Sequence, residues 1–376
     1  MSSSDSAKKT PAGSTVWLLQ RSDVVGGTKR IIDELTRRLQ ARGLGANAVY
    51  LRGPQEHVKA GKSPVFNGLA TVRDFARLAR RFLRERPRLI VTFTPLLGAL
   101  VSLFALPSKR TSVIATHHTP AFRIGGATRW LDRLSARLGA YDAIVACAPA
   151  VAASYASNGP RYMKSMSVIA NGVASSDTPR TARRDSQLRR SVGLPPGTNV
   201  AFAAGRLASE KNHSLLLRAI ALAPGWCLVL AGDGSARREL EREARELGIT
   251  ARVSFLGVVP RERVAAWFSE CDVFVQPSLF EGLSLALLEA MARGAPVLAS
   301  DIPGNRDALT SSNGTVGWLL PGSDPHAWAD VLATVRDDPS GAEEVGARAR
   351  DHQRREFDEE QMYQRYMRLI CEHVGL

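Results

Sequence analysis

Short apolar runs alternate along the chain with stretches whose apolar positions recur at helical spacing. Near the N-terminus TVWLLQ reads as a buried strand and Gly26-Gly27 as a turn. KRIIDELTRRLQARG then places Ile31, Ile32, Leu35 and Leu39 on one helical face, with Gly43 to stop it. LIVTFT, SVIAT and AIVACA are further β-rich runs with helical stretches between them. Continuous apolar strands separated by helices predict a parallel sheet covered on both faces. Residues 89–108 carry no charge, a stretch long enough to be weighed as a membrane span. Pro95 divides it, so the pattern predicts a strand, a buried helix of about eleven residues before Pro107, and then the strand SVIAT.

Between Asn171 and Pro196 the periodicity lapses into Ser, Thr, Pro, Arg and Asp. A second alternation follows. NVAFAAG, CLVLAG, VSFLG, VFVQPS and PVLAS are strands, and NHSLLLRAIAL, SARRELEREARELG, RERVAAWFSEC and LALLEAMARG are the helices between them. The fold class is therefore α/β, with two doubly wound Rossmann-like domains facing across a cleft, one over 15–173 and one over 197–350. Residues 174–196 read as a linker, and 351–376 as a charged helix packed across the junction. Residues 1–14 are small and polar and read as a disordered tail. The apolar VWLL that follows is too short for the core of a signal peptide.

The composition is globular, with 44% hydrophobic and 23% charged residues in a chain of 376. Cys147, Cys227, Cys271 and Cys371 lie too far apart for a zinc or CxxC motif, which points to reduced thiols in a cytoplasmic protein. Charge is unevenly divided. Residues 1–175 carry 26 Lys and Arg against 9 Asp and Glu, whereas residues 176–376 carry 24 against 27. A basic half suggests an anionic partner, unless it reflects an arginine-rich proteome. Much of the excess lies in VRDFARLARRFLRERPR, with arginines at 73, 77, 80, 81, 84, 86 and 88 around an apolar stripe of Phe75, Leu78 and Phe82. That helix either packs its stripe inward or docks on an anionic leaflet. Without zinc spacing, a helix-turn-helix signature or an RNP stretch, nucleic acid is not an expected partner.

The chemistry concentrates in the second half. Gly232-Asp233-Gly234 lacks the third glycine of a dinucleotide fingerprint, where Arg237 stands, and neither a Walker A loop nor a DxD pair is present. GRLASEKN instead puts Arg206 and Lys211 in a strand-to-helix loop, where two cations beside a helix N-terminus suit a diphosphate without a metal. A solvated basic loop is the alternative. In LFEGLSLALLEAMARG, Glu281 falls in the loop before the helix and Glu289 eight residues on, about 12 Å along the axis if helical, which sets the two carboxylates on related faces. Glu289 lies within an apolar stretch, where a carboxylate is costly unless hydrogen-bonded.

GRL-x-x-EKN, Phe255-Leu256-Gly257 and PSLFEGLSLALLEAMARGAPVLASD closely resemble the retaining glycosyltransferases of family 4. Asn171-Gly172-Val173, Gly26-Gly27 and Gly317-Trp318-Leu319-Leu320 extend the likeness over nearly the whole chain. The resemblance implies a GT-B fold and sugar transfer from a nucleotide-sugar, a UDP-sugar foremost, onto a glycan or lipid-linked acceptor. Lipopolysaccharide or exopolysaccharide synthesis is the implied setting, at or near the cytoplasmic face of the membrane. The nucleotide-sugar is a substrate, so no cofactor and no metal are expected. Arg206 and Lys211 would hold the donor diphosphate, Glu281 the sugar hydroxyls and Glu289 the ribose. Backbone at Gly282 and Leu283 would hold sugar and phosphate, and Phe255, Leu256 and Gly257 would line the base pocket. Gly26 and Gly27 would admit the phosphate and acceptor, and His118 would lie beside the donor sugar, with His117 as the neighbouring candidate. Two departures stand out: Ala174 ends the NGVD signature, and Asp307 replaces a frequent glutamate. A nucleotide-sugar epimerase and a non-catalytic sugar-nucleotide-binding protein remain the alternatives.

Overall fold

The computed structural model describes residues 15–22, 27–52, 68–108, 110–176 and 186–376. The expected tail 1–14, Gly26 and residues 177–185 of the expected linker lie outside them. The chain divides into two compact units. The first comprises Met1–Cys147, Val151–Ile169 and Tyr363–Leu376, and the second Ala148–Ala150 and Ala170–Met362.

In the first unit six parallel strands form one sheet: β1 (Thr15–Ser22), β2 (Gly45–Arg52), β3 (Leu89–Thr92), β4 (Ser112–His117), β5 (Ala143–Ala146) and β6 (Met166–Val168), in the order β2-β1-β3-β4-β5-β6. Val16–Leu19 on β1 are fully buried, as a strand covered on both faces requires. The uncharged segment resolves into β3 and a helix Pro95–Ala105 with Pro95 at its start, where proline's missing N–H costs nothing. No helix among the described residues is long and apolar enough to cross a membrane. The arginine-rich helix spans Gly68–Glu85 and buries Leu78 and Phe82, with Phe82 edge-on to Trp17 and Phe104. Leu78 and Phe82 of its apolar stripe are therefore spent on the core and Phe75 is partly buried, while Arg73, Arg77, Arg80 and Arg84 remain exposed.

The second unit holds β7 (Asn199–Ala204), β8 (Trp226–Ala231), β9 (Val253–Gly257), β10 (Val273–Gln276) and β11 (Val297–Ser300). A small hairpin of β12 (Thr310–Ser311) and β13 (Gly314–Thr315) precedes β14 (Trp318–Leu320). The sheet order is β14-β11-β10-β7-β8-β9, parallel throughout. The direction of strand addition reverses between β7 and β10, and ligands of such sheets bind outside the carboxyl ends at that reversal. Trp226, Leu217, Leu228, Trp328 and their neighbours form the core beneath.

Two expected boundaries change. Residues 186–196 are not linker: Gln187–Ser191 is a helix whose Arg189, 2% exposed, pairs with Asp272 at 2.5 Å and donates to the carbonyls of Thr198 and Glu270. A polar segment anchored by one buried arginine looks like linker in composition, because its partner lies 83 residues away. The C-terminal region is likewise two helices, Pro339–Glu356 and Glu359–Val374. At the break, Val173 pairs with Asp358 and its N–H donates to the Phe357 carbonyl. A Cβ on Gly172 would lie 2.7 Å from the Asp358 oxygen, which is the physical reason for glycine in Asn171-Gly172-Val173.

Candidate active site

The loops after β7 and β10 supply the predicted donor residues. After β7 the chain runs through Arg206 into a short 3-10 turn, Ser209–Lys211, and Asn212 in the left-handed region leads into helix His213–Leu222. After β10 the chain carries Ser278 and Glu281 toward helix Leu285–Ala292. The two loops meet where the sheet reverses. Lys211 Nζ lies 2.5 Å from Glu281 Oε1, and the Ser278 hydroxyl donates to the same oxygen at 2.7 Å. Glu281 thus offers its remaining lone pairs from a held carboxylate, and Lys211 presents a cation fixed against it.

Arg206 is less fixed than the sequence suggests. It is exposed and paired with Glu210, four residues on. An exposed pair of this kind contributes roughly 0–1 kcal/mol, so Arg206 is readily released to another anion. Glu289 pairs with Arg261, a partner that no motif signals. Glu281 lies in the loop before the helix, as its sequence position predicts, and a helical phase therefore does not relate it to Glu289. Gly282 and Leu283 take no hydrogen bond through their N–H groups among the described residues, and these groups stand at the approach to the helix N-terminus. Phe255 packs its ring against the core, its carbonyl accepts from Arg237, and the Gly257 carbonyl accepts from Gly232 N–H. Leu256, the extra residue where the register between β8 and β9 shifts, is partly exposed.

Sequence reasoning missed what holds the Glu281 loop. Asn305, fully buried, donates to the Ser300 carbonyl and hydroxyl and accepts from Gln276. Ser300 donates to the Ser278 carbonyl, Ser284 donates to Gln276, and the Ser284 hydroxyl caps helix Leu285–Ala292. Gly304 closes the same loop from below, since a Cβ there would stand 2.5 Å from the Gly282 oxygen. Serine before an apolar helical run is a readable cap signal, but the Gln276–Asn305 pair is not. Asn305→Ala leaves the Gln276 side-chain N–H groups without that partner and takes from Ser300 the donor to its carbonyl and hydroxyl, while Ser284, Ser278 and Ile302 keep their bonds to the pair. It should cost about 2–3 kcal/mol of stability in urea unfolding and weaken nucleotide-sugar binding more than nucleotide binding. Equal weakening of both ligands would refute a specific hold on the Glu281 loop. Asp307, also in this region, accepts from the Ala150 N–H at 2.6 Å and is committed to that contact.

In the first unit, His117 and His118 have different surroundings. His117 is fully buried, hydrogen-bonded to the Tyr162 hydroxyl at 2.7 Å and stacked on Tyr155. Tyr162 and Tyr141 both donate to Asp132. His118 is partly exposed after β4, with Nε2 3.1 Å from the Thr116 hydroxyl and its ring stacked on Phe93. Burial pulls His117 down to about 3 and, with His117 beside it, His118 to about 4. His213 falls to about 4 through burial and the Lys211 charge. Unfolded histidines protonate near 6.5, so between pH 6.5 and 4 the unfolded chain binds more protons. Stability should therefore fall as pH drops through that window. Asp132 and Asp307, raised by burial, act in the opposite sense and soften the slope. A melting temperature that stays flat from pH 7 to 4.5 would contradict this.

Two loops, one basic and one acidic, thus meet at the reversal of a parallel sheet on a GT-B fold. The family model described as Glycosyltransferase Family 4 matches residues 25–177, and Glycosyl transferases group 1 matches 185–352. The chain belongs to glycosyltransferase family 4. It is 34% identical over 199 residues to a D-inositol 3-phosphate glycosyltransferase of Corynebacterium diphtheriae, covering 50% of this chain and 46% of that protein. It is 38% identical over 181 residues to the enzyme of the same name from Thermomonospora curvata, covering 45% and 42%. The matched stretches thus span less than half the length of these relatives. The fold is that of sucrose-phosphate synthase from Thermosynechococcus elongatus, with a TM-score of 0.81 at 21% identity over 96% of this chain and 99% of that one. Anabaena HepE in complex with UDP-glucose gives 0.74 at 18% identity over 95% and 99%.

Proposed function

We propose that the protein is a retaining glycosyltransferase that moves a sugar from a nucleotide-sugar, a UDP-sugar foremost, to a glycan or lipid-linked acceptor in lipopolysaccharide or exopolysaccharide synthesis. The Lys211–Glu281 pair at the sheet reversal carries this reading. In the proposed reaction the bond from the anomeric carbon to the diphosphate oxygen breaks while the acceptor oxygen bonds to the same face, and its proton passes to the departing phosphate. Lys211, Arg206 and the N–H groups of Gly282 and Leu283 meet the charge that grows on the diphosphate. Glu281 orients sugar hydroxyls and Glu289 the ribose. Because these cations take the place of a metal, EDTA should leave turnover unchanged.

Support for the donor comes from the structural likeness to HepE with UDP-glucose, and for the acceptor from a fold likeness to the lipopolysaccharide outer core galactosyltransferase WaaB (TM-score 0.68, 19% identity, 96% and 99% coverage). The basic first unit, with Phe122 and Trp130 both more than 60% exposed beside Arg123 and Arg129, favours docking on an anionic cytoplasmic leaflet. A melting-shift panel of UDP-, GDP- and ADP-sugars, with products read by mass spectrometry, tests the donor. A UDP-sugar should stabilise the chain and be consumed only when acceptor is added. Failure of every nucleotide-sugar to bind would defeat the proposal.

A further inference from the structure

The sheet of the first unit also reverses its direction of strand addition, between β1 and β3, and an open parallel sheet forms a crevice outside the carboxyl ends at such a point. A cavity of about 350 Å³ lies there, within the ~300–1,000 Å³ range of small-molecule sites. Arg21 from the end of β1, Thr94 and Leu96 after β3, and Arg123 after β4 line it. None of these residues belongs to the donor loops of the second unit.

The lining has a definite chemistry. Leu51, Phe75, Leu96, Leu97 and Ile124 present hydrocarbon. Arg21 and Arg123 add cations at the β1 and β4 margins. Asp74, also in the wall, has Arg77 at 3.7 Å to offset its charge. The Thr94 hydroxyl is buried without a partner among the described residues. Thr119 and Thr128 add hydroxyls to the wall, yet a free polyol phosphate would still set part of its surface against the hydrocarbon side chains and lose that hydration uncompensated. A hydrocarbon chain ending in an anion meets both halves of the wall.

We propose that this cavity binds an amphiphile, its hydrocarbon segment among Leu51, Phe75, Leu96 and Ile124 and its phosphate toward Arg21 and Arg123. The proposal rests on the transferase reading and deepens it: the acceptor is of the lipid-phosphate class, and the part of its chain next to the phosphate enters the protein. Arg21 and Arg123 already hold partners within the chain, so the phosphate exchanges for them.

Calorimetric titration of the full chain with butyl, hexyl and octyl phosphate, each below its micellar concentration, tests this, with inositol 1-phosphate and inorganic phosphate alongside. Affinity should rise about fourfold for each methylene fully buried until the cavity fills. Leu96→Gln should weaken octyl phosphate at least tenfold and flatten the series, and Arg123→Ala should weaken all its members alike. Geranyl phosphate compared with a lysophosphatidate of equal carbon number distinguishes a prenyl from an acyl source. A flat series, inositol 1-phosphate binding as tightly as octyl phosphate, or indifference to both substitutions would overturn the proposal. UDP binding, read on the same samples, separates the outcomes: its loss counts against the transferase reading, whereas a failed series with UDP binding intact counts against the cavity alone.

Discussion

Lys211→Ala should lower turnover about 10²–10³-fold while leaving the chain folded. Lys211 is the cation held in place at the candidate donor site, 2.5 Å from Glu281, with its side chain 24% exposed against 13% for the carboxylate. Water screens such a partly buried charge less than a surface one, so its value to a developing diphosphate is high. Its removal also leaves Glu281 with only the Ser278 hydroxyl of its two donors, a cost of about 1–2 kcal/mol that lowers the melting temperature by a few degrees. Arg206→Ala removes an exposed side chain whose present partner is Glu210, and should act more weakly, about tenfold and mostly on donor KM. Glu281→Ala should match Lys211→Ala in turnover, and the double variant should lose little more, because the two side chains act as one unit. Steady-state rates with the donor identified by binding decide the matter. Turnover of Lys211→Ala within tenfold of the parent chain would remove the pair from the proposed mechanism.

The sequence reveals more of the second unit than of the first. Its inner strands β7, β8, β10 and β11 are mostly apolar runs, and each is found where its run lies, because a strand buried on both faces leaves no ambiguity of period; β9, half-buried at the margin, is also found at its run VSFLG. Other edge strands are harder to read. GANAVYLR forms β2 at one margin of its sheet, yet its glycine, alanines and asparagine carry little β-propensity, and β6 and β14 are only three residues long. Motifs place Lys211 and Glu281 because each is local in sequence. They give no sign that Asn305 holds the Glu281 loop, that Arg261 meets Glu289 or that Arg189 anchors the supposed linker, since each of these joins residues from separate loops and helices. His117 and His118 are adjacent, and strand alternation alone sends one inward and the other toward the strand end. Which of them is buried depends on Tyr162 and Asp132, far along the chain.

Gly232-Asp233-Gly234 shows what a failed motif can be for. It lacks the dinucleotide fingerprint, yet the two glycines let the loop after β8 stack on the loop that carries Arg206 and Lys211. A Cβ on Gly232 would stand 1.8 Å from the Gly205 oxygen, and one on Gly234 2.2 Å from the Leu207 oxygen. Neither loop can retreat without breaking the bonds Gly205 N–H to Ala231, Gly232 N–H to Gly257, Leu207 N–H to Asp233 and Ala236 N–H to Leu207. Gly232 also sits at φ +141°, which other residues rarely adopt. Gly232→Ala should therefore cost about 3–5 kcal/mol and displace Lys211, so that nucleotide-sugar binding is lost even in the fraction that folds. Gly248→Ala is the matched control: its φ is +68° and nothing lies within 4 Å of the added methyl, so only the left-handed backbone term of about 1–2 kcal/mol applies. Urea midpoints for the two variants, with UDP titration of the folded protein, separate close approach from backbone strain. If Gly232→Ala destabilises no more than Gly248→Ala and still binds UDP, the stacked loops do not position Lys211, and the cation's placement must come from Glu281 alone.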